Sequence, residues 1–172
     1  MKTMLFCTDG KPGSENCPGV HDTVSYYSQI TLNEECEIPE AKPGSAKLIS
    51  KYHSLEIQRV ETIDLIVKKN DEQAAGKKVI VTGNLRLGIE YADHKYNQKV
   101  HFFECLIPFN AVVLACHCGE ERLLPEEFCL DDYLVHVCLE HLQVNQVSKR
   151  VFAKTAILMI WLQPKRACRA CR

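Results

Sequence analysis

Lys77-Lys78-Val79-Ile80-Val81-Thr82-Gly83-Asn84-Leu85-Arg86-Leu87-Gly88-Ile89-Glu90-Tyr91 is the stretch on which the fold turns. Val79, Val81, Leu85, Leu87, Ile89 and Tyr91 share one parity, while Thr82, Asn84, Arg86 and Glu90 share the other. Alternation with a period of two marks a strand with one face in the core and one in water. The polar segment 92–99 contains Asp93, His94 and Asn97 and reads as a turn. Val100-His101-Phe102-Phe103-Glu104-Cys105-Leu106-Ile107-Pro108-Phe109 follows, so the two halves are expected to pair as a hairpin. The central strand is long for a small domain, which suggests a bend at Gly83 or Gly88. No comparable signal points to catalysis.

Working outward, the flanks are also β-like. Ser28 to Ile38 holds a short alternating piece that ends at Pro39 and the Lys42-Pro43-Gly44-Ser45 turn. Segment 46–69 is rich in β-branched residues, which favours a strand over the competing helix. Its parity breaks at Val60, and a bend near Arg59 is preferred to a single bulge, which would swap the face of everything after it. A turn is expected over 70–77 around Gly76. Pro108-Phe109-Asn110 is expected to interrupt the next strand before Ala111 to His117 continues it. Tyr133 to Val144 and Val151 to Leu162 form a second hairpin, with Asn145-Gln146 as its turn. Ile157 to Leu162 is apolar on both parities and is expected to be buried on both faces. Many short-spaced strands with turn signals between them indicate an all-β fold, an antiparallel β-sandwich. Its expected organisation is a flexible N-terminal arm over 1–27, a sandwich over 28–163, and a short basic tail over 164–172 bearing Cys168 and Cys171.

A chain of 172 residues can bury a core without metal or disulfide support. Its net charge of -1 gives no reason to expect nucleic acid or an anionic membrane as partner. No apolar run approaches the roughly 20 residues a spanning helix needs. The apolar run near the N-terminus is short for a signal-peptide core, so synthesis inside the cell without export by that route is expected. Ten cysteines are many for a chain in a reducing cytosol.

The central residues resemble the SPOCS-domain family of clostridial spore-coat assembly proteins. The resemblance is carried by Val79 to Leu87, then Ile89-Glu90-Tyr91-Ala92-Asp93, then Val100 to Glu104, then Ile107-Pro108-Phe109, in that order and spacing. It extends over roughly 45–163 with the Val135 to Val144 and Val151 to Trp161 hairpin. The resemblance implies a part in building the spore envelope through protein–protein contact, with no known catalysis and no cofactor. The chain holds a single copy of the domain, has no peptidoglycan-binding module, and carries cysteines at both ends. Those departures favour a small self-assembling subunit of a spore surface layer or appendage, made in the mother cell, over an inner adaptor.

Cys7, Cys17, Cys116, Cys118, Cys168 and Cys171 are the candidate site residues, read first as intersubunit disulfide cysteines. The alternatives are unpaired thiols and a four-cysteine metal site. Cys116-His117-Cys118 lacks the knuckle spacing of zinc sites, and its distance from Cys168-Arg169-Ala170-Cys171 far exceeds that of a zinc ribbon. On a strand Cys116 and Cys118 point the same way, with Cα atoms about 6.5 Å apart, and more easily bond other thiols than each other. Cys36, Cys105, Cys129 and Cys138 read as small buried hydrophobes. His94, His101, His117, His136 and His141 have no nucleophile in a recognisable setting, and His136 and His141 have opposite parity. The acidic segment 120–132 reads as solvated surface; attraction between it and the basic tail of another copy is a further expectation. The expected partners are other copies of the chain and, in the adaptor reading, another spore-coat protein.

Overall fold

The computed structural model describes residues 6–8, 26–69, 72–95, 97–117 and 120–165. Eight strands form one sheet: β1 (Phe6–Thr8), β2 (Tyr26–Glu37), β3 (Ser45–Lys69), β4 (Glu72–Asp93), β5 (Val100–His117), β6 (Glu120–Arg122), β7 (Tyr133–Gln146) and β8 (Val151–Pro164). The spatial order is β1-β7-β8-β2-β5-β4-β3, with β6 on β5. All pairings are antiparallel except β1 with β7. The fold is all-β, and its two layers belong to one sheet curled nearly into a barrel. Near its open seam the Lys51 Nζ of β3 donates to the Leu142 carbonyl of β7 at 2.6 Å. No helix among the described residues is long and apolar enough to cross a membrane.

The core follows from alternation. On β4, Val79, Val81, Leu85, Leu87, Ile89 and Tyr91 are each 0% exposed. On β8, Phe152, Ala156, Leu158 and Ile160 meet them, also buried. At roughly 1.5–3 kcal/mol for each large apolar side chain removed from water, this shared interior is the main favourable term. The opposite parity of β8 (Ile157, Met159) is only half-buried, so burial on both faces is confined to Trp161 beside Leu162.

Several sequence expectations are corrected. β3 does carry a bulge between Ile57 and Arg59. It swaps the face, so Val60 packs against the core while Ile63 stands exposed. Two further shifts, between Ser45 and Lys47 and between Leu48 and Ser50, bend the same strand. Gly76 is not in a turn: β4 has already begun at Glu72, and Gly76 pairs with Leu65. β5 runs unbroken through Pro108, which pairs with Asn84. A proline is tolerated where a strand has a side without a ladder, and β5 bonds β2 only at Ala115 and Leu114. The last hairpin turns at 147–150, beyond Asn145-Gln146. Val147 and Ser148 both donate to the Val151 carbonyl there, and the Ser148 hydroxyl accepts from the Arg150 and Val151 N–H groups.

The β4–β5 turn forms where expected. Asp93 N–H donates to the Lys99 carbonyl at 3.1 Å, and Gln98, at φ 41°, occupies the left-handed region. A second closure at the same end uses Arg150, whose guanidinium donates to the carbonyls of Ile38 (2.7 Å), Pro39 (2.8 Å) and Lys42 (3.1 Å). The Tyr91 hydroxyl donates to the Pro43 carbonyl at 2.8 Å, fastening the same connection to the core.

Candidate functional site

The chemistry of this chain lies in its cysteines. Cys36 on β2 and Cys105 on β5 form a disulfide with Cα atoms 6.2 Å apart. β2 and β5 share hydrogen-bonded pairs only at Tyr26↔Ala115 and Tyr27↔Leu114. Continuing that antiparallel register nine residues along each strand brings Cys36 opposite Cys105. The bond therefore holds in register a seam that the backbone ladder has already left. Cys36 is 4% exposed and lies opposite Phe152 of β8, while Cys105 is half-buried.

Lys154 completes this cluster. It is 6% exposed, points inward from β8, and places Nζ 2.6 Å from the Cys36 sulfur. Burial pushes its pKa below the ordinary lysine value, and the Glu34 carboxylate draws it part of the way back. Sequence reading assigned Lys154 no role. Its parity with Phe152, Ala156 and Leu158 was the available signal, because a lysine on an apolar stripe must be paired inside the fold.

The expectation that Cys36, Cys105, Cys129 and Cys138 are small buried hydrophobes holds for the burial of Cys36 and Cys138, but three of the four are bonded. Cys36 and Cys105 are bonded to each other, and Cys138 is also in a disulfide. Cys129 is free but exposed, because it precedes the Leu130–Asp132 turn at the surface. Of the six candidate cross-linking residues, Cys7 lies in β1 with its backbone opposite His136, and Cys116 lies in β5 opposite Glu121. Cys17, Cys118, Cys168 and Cys171 lie outside the described residues, as do the side chains of Cys7 and Cys116.

The described members of the other constellations make the following contacts. His101 Nε2 meets Asp93 Oδ2 at 3.1 Å, and Lys95 N–H donates to Oδ1 at 3.0 Å. Burial would raise the Asp93 pKa, but these two hydrogen bonds outweigh it and hold the carboxyl below its ordinary value. His136 stacks on Trp161 with ring centroids 4.9 Å apart. A bulge between Leu139 and His141 reverses the parity argument: His136 pairs with Trp161 and His141 with Ile157, both on the outer face. His53 lies on the inner face, where burial first and Lys51 second lower its pKa. At the start of the basic tail, Lys165 donates through N–H to the Asp132 carbonyl at 2.8 Å and through Nζ to that of Asp131 at 2.6 Å. No group of three or more His, Cys, Asp or Glu among the described residues is arranged to hold a metal.

β3 is the long edge of the sheet. It has 25 residues and, among the described residues, forms a ladder with β4 alone. Ile49, Tyr52, Ile63 and Ile66 are exposed along it.

The family model described as SipL, SPOCS domain, matches residues 56–146. The chain belongs to the SPOCS-domain family. Membership ties it to sporulation. The SPOCS match runs from the middle of β3 to the end of β7, so β2 and β8 lie outside it. The Cys36–Cys105 disulfide thus fastens the SPOCS segment to a flanking strand. No curated protein and no solved structure matches the chain.

Proposed function

We propose that this SPOCS-domain chain is a non-enzymatic structural subunit of a spore surface layer or appendage. It is made in the mother cell, assembles with its own copies, and is locked by intersubunit disulfides through Cys7, Cys17, Cys116, Cys118, Cys168 and Cys171. The observation that carries this reading is the internal disulfide of Cys36 with Cys105, joined by a bonded Cys138. A chain that works with its core cysteines oxidised belongs in an oxidising place, where its remaining cysteines can bond as well. The β3 edge supports the same reading, since a long strand with one ladder partner can accept a strand from a neighbour.

The test is electrophoresis of native material with and without reductant. A ladder of oligomers that collapses to monomer on reduction is expected, and replacing Cys168 and Cys171 by serine should shorten it. Monomer alone in both lanes would reject the cross-linked subunit. Protein that stays monomeric when concentrated, yet captures another coat protein, would select the adaptor instead.

A further inference from the structure

The geometry points to Cys105 as an acceptor for thiol–disulfide exchange: an external thiolate displaces Cys36 from it, and Lys154 holds the departing thiolate. Three observations combine. The two cysteines differ in exposure: Cys36 is 4% exposed, whereas Cys105 is half-buried. Exchange rates depend on which sulfur can be reached, so the incoming thiolate meets Cys105. A cation waits on the other sulfur, with Lys154 Nζ 2.6 Å from Cys36 and itself 6% exposed. Away from water, that contact favours negative charge on sulfur more strongly than a surface lysine would. Finally, the seam around the bond carries no ladder past Tyr27, so parting the two sulfurs breaks no β2–β5 hydrogen bond there.

The step balances without any other reactant. The external sulfur bonds to the Cys105 sulfur, the Cys36–Cys105 bond breaks, and its electron pair leaves on Cys36. Lys154 donates a hydrogen bond to that thiolate. In reverse, Cys36 attacks the mixed disulfide and expels the external thiol. A leaving thiolate of lower pKa leaves faster, so Lys154 is a positioning residue for the exchange. The inference does not rest on the assembly reading, because a small thiol probes it.

The experiment incubates the oxidised full chain with reduced glutathione under native conditions, quenches with acid, and maps adducts by peptide mass spectrometry. Glutathione is expected on Cys105 in large excess over Cys36. Lys154→Met should slow its appearance about tenfold, and Lys154→Arg should largely preserve it. Since Lys154→Met also alters stability, a second measurement follows alkylation of the Cys36 peptide against pH in Cys105→Ser protein. Cys36 should titrate below the ordinary thiol range there, and return upward when Lys154→Met is added. A disulfide-linked dimer through Cys105 without glutathione would identify a second copy as a further source of the thiol, by the same chemistry. Adducts chiefly on Cys36, or alkylation unaffected by Lys154→Met, would overturn the inference.

Discussion

Replacing Cys36 and Cys105 together by alanine removes the covalent tie across the β2–β5 seam, and its cost can be worked out from the chain. The bond closes a loop with a sequence separation of 69. In the chain-entropy account, releasing such a loop in the unfolded state favours unfolding by about 4 kcal/mol at 25 °C. Domains of this size are stable by only about 5–15 kcal/mol in total. The loss should therefore lower the melting temperature by roughly 10 °C. The folded state gives little back, since only two ladder pairs hold β2 to β5. Urea unfolding without reductant is the assay, so that the Cys138 disulfide stays intact in both proteins. The single tryptophan, Trp161, is 7% exposed and stacked on His136, and its fluorescence reports unfolding. A loss below about 1 kcal/mol with an unchanged denaturant slope would refute the reasoning. It would mean that packing already holds the seam in register.

Gly83→Ala and Gly88→Ala should differ although both lie on β4. A Cβ on Gly83 would come 2.3 Å from the Glu56 carbonyl, which is backbone, so roughly 3 kcal/mol or more is expected. A Cβ on Gly88 would come 2.2 Å from the Tyr52 ring, which can swing off its stack with Phe102; about 1 kcal/mol is expected, and Tyr52→Ala should abolish most of it in a double-mutant cycle. The Asp93 carboxyl titrates below its ordinary 3.8 in the folded state, so its contribution is present above that pH and is lost as pH falls through the lower folded value. Asp93→Asn should accordingly flatten the acid limb of stability, read as urea midpoints from pH 6 to pH 3. Arg150→Ala removes donors to three carbonyls of the connection after β2 and should cost roughly 2–3 kcal/mol; Arg150→Lys should not restore it, since an ammonium lacks the planar fork. Hydrogen exchange of Ile38, Lys42 and Ser45 checks this locally.

What could be read in the sequence was local, and what could not was long-range. β4 announced itself because one face of a regular strand is wet and the other is not, and all six residues on its apolar parity are fully buried. Parity fails as soon as a ladder slips. The slips after Ile57 and Leu139 each exchange the two faces, and the residues that do so, Gln58 and Glu140, have no composition that marks a bulge. Pro108 misled for the opposite reason, since whether a proline ends a strand depends on which side of it has a partner. That is decided by β2, far away in sequence.

The disulfide cluster was hidden in the same way, and its concealment has a physical meaning. Cys36, Cys105 and Lys154 come from three strands, the closest two separated in sequence by 49 residues, and meet only when β2 is set between β8 and β5. Bond formation thus requires β2 to be docked between those two strands, or nearly so, before the two sulfurs face each other in register. A disulfide of that kind records folding that has already happened and does not direct it. It follows that reduction should leave the alternating core recognisably folded while freeing the β2–β5 seam, because the seam has almost no ladder of its own and the core on β4 and β8 is held by burial.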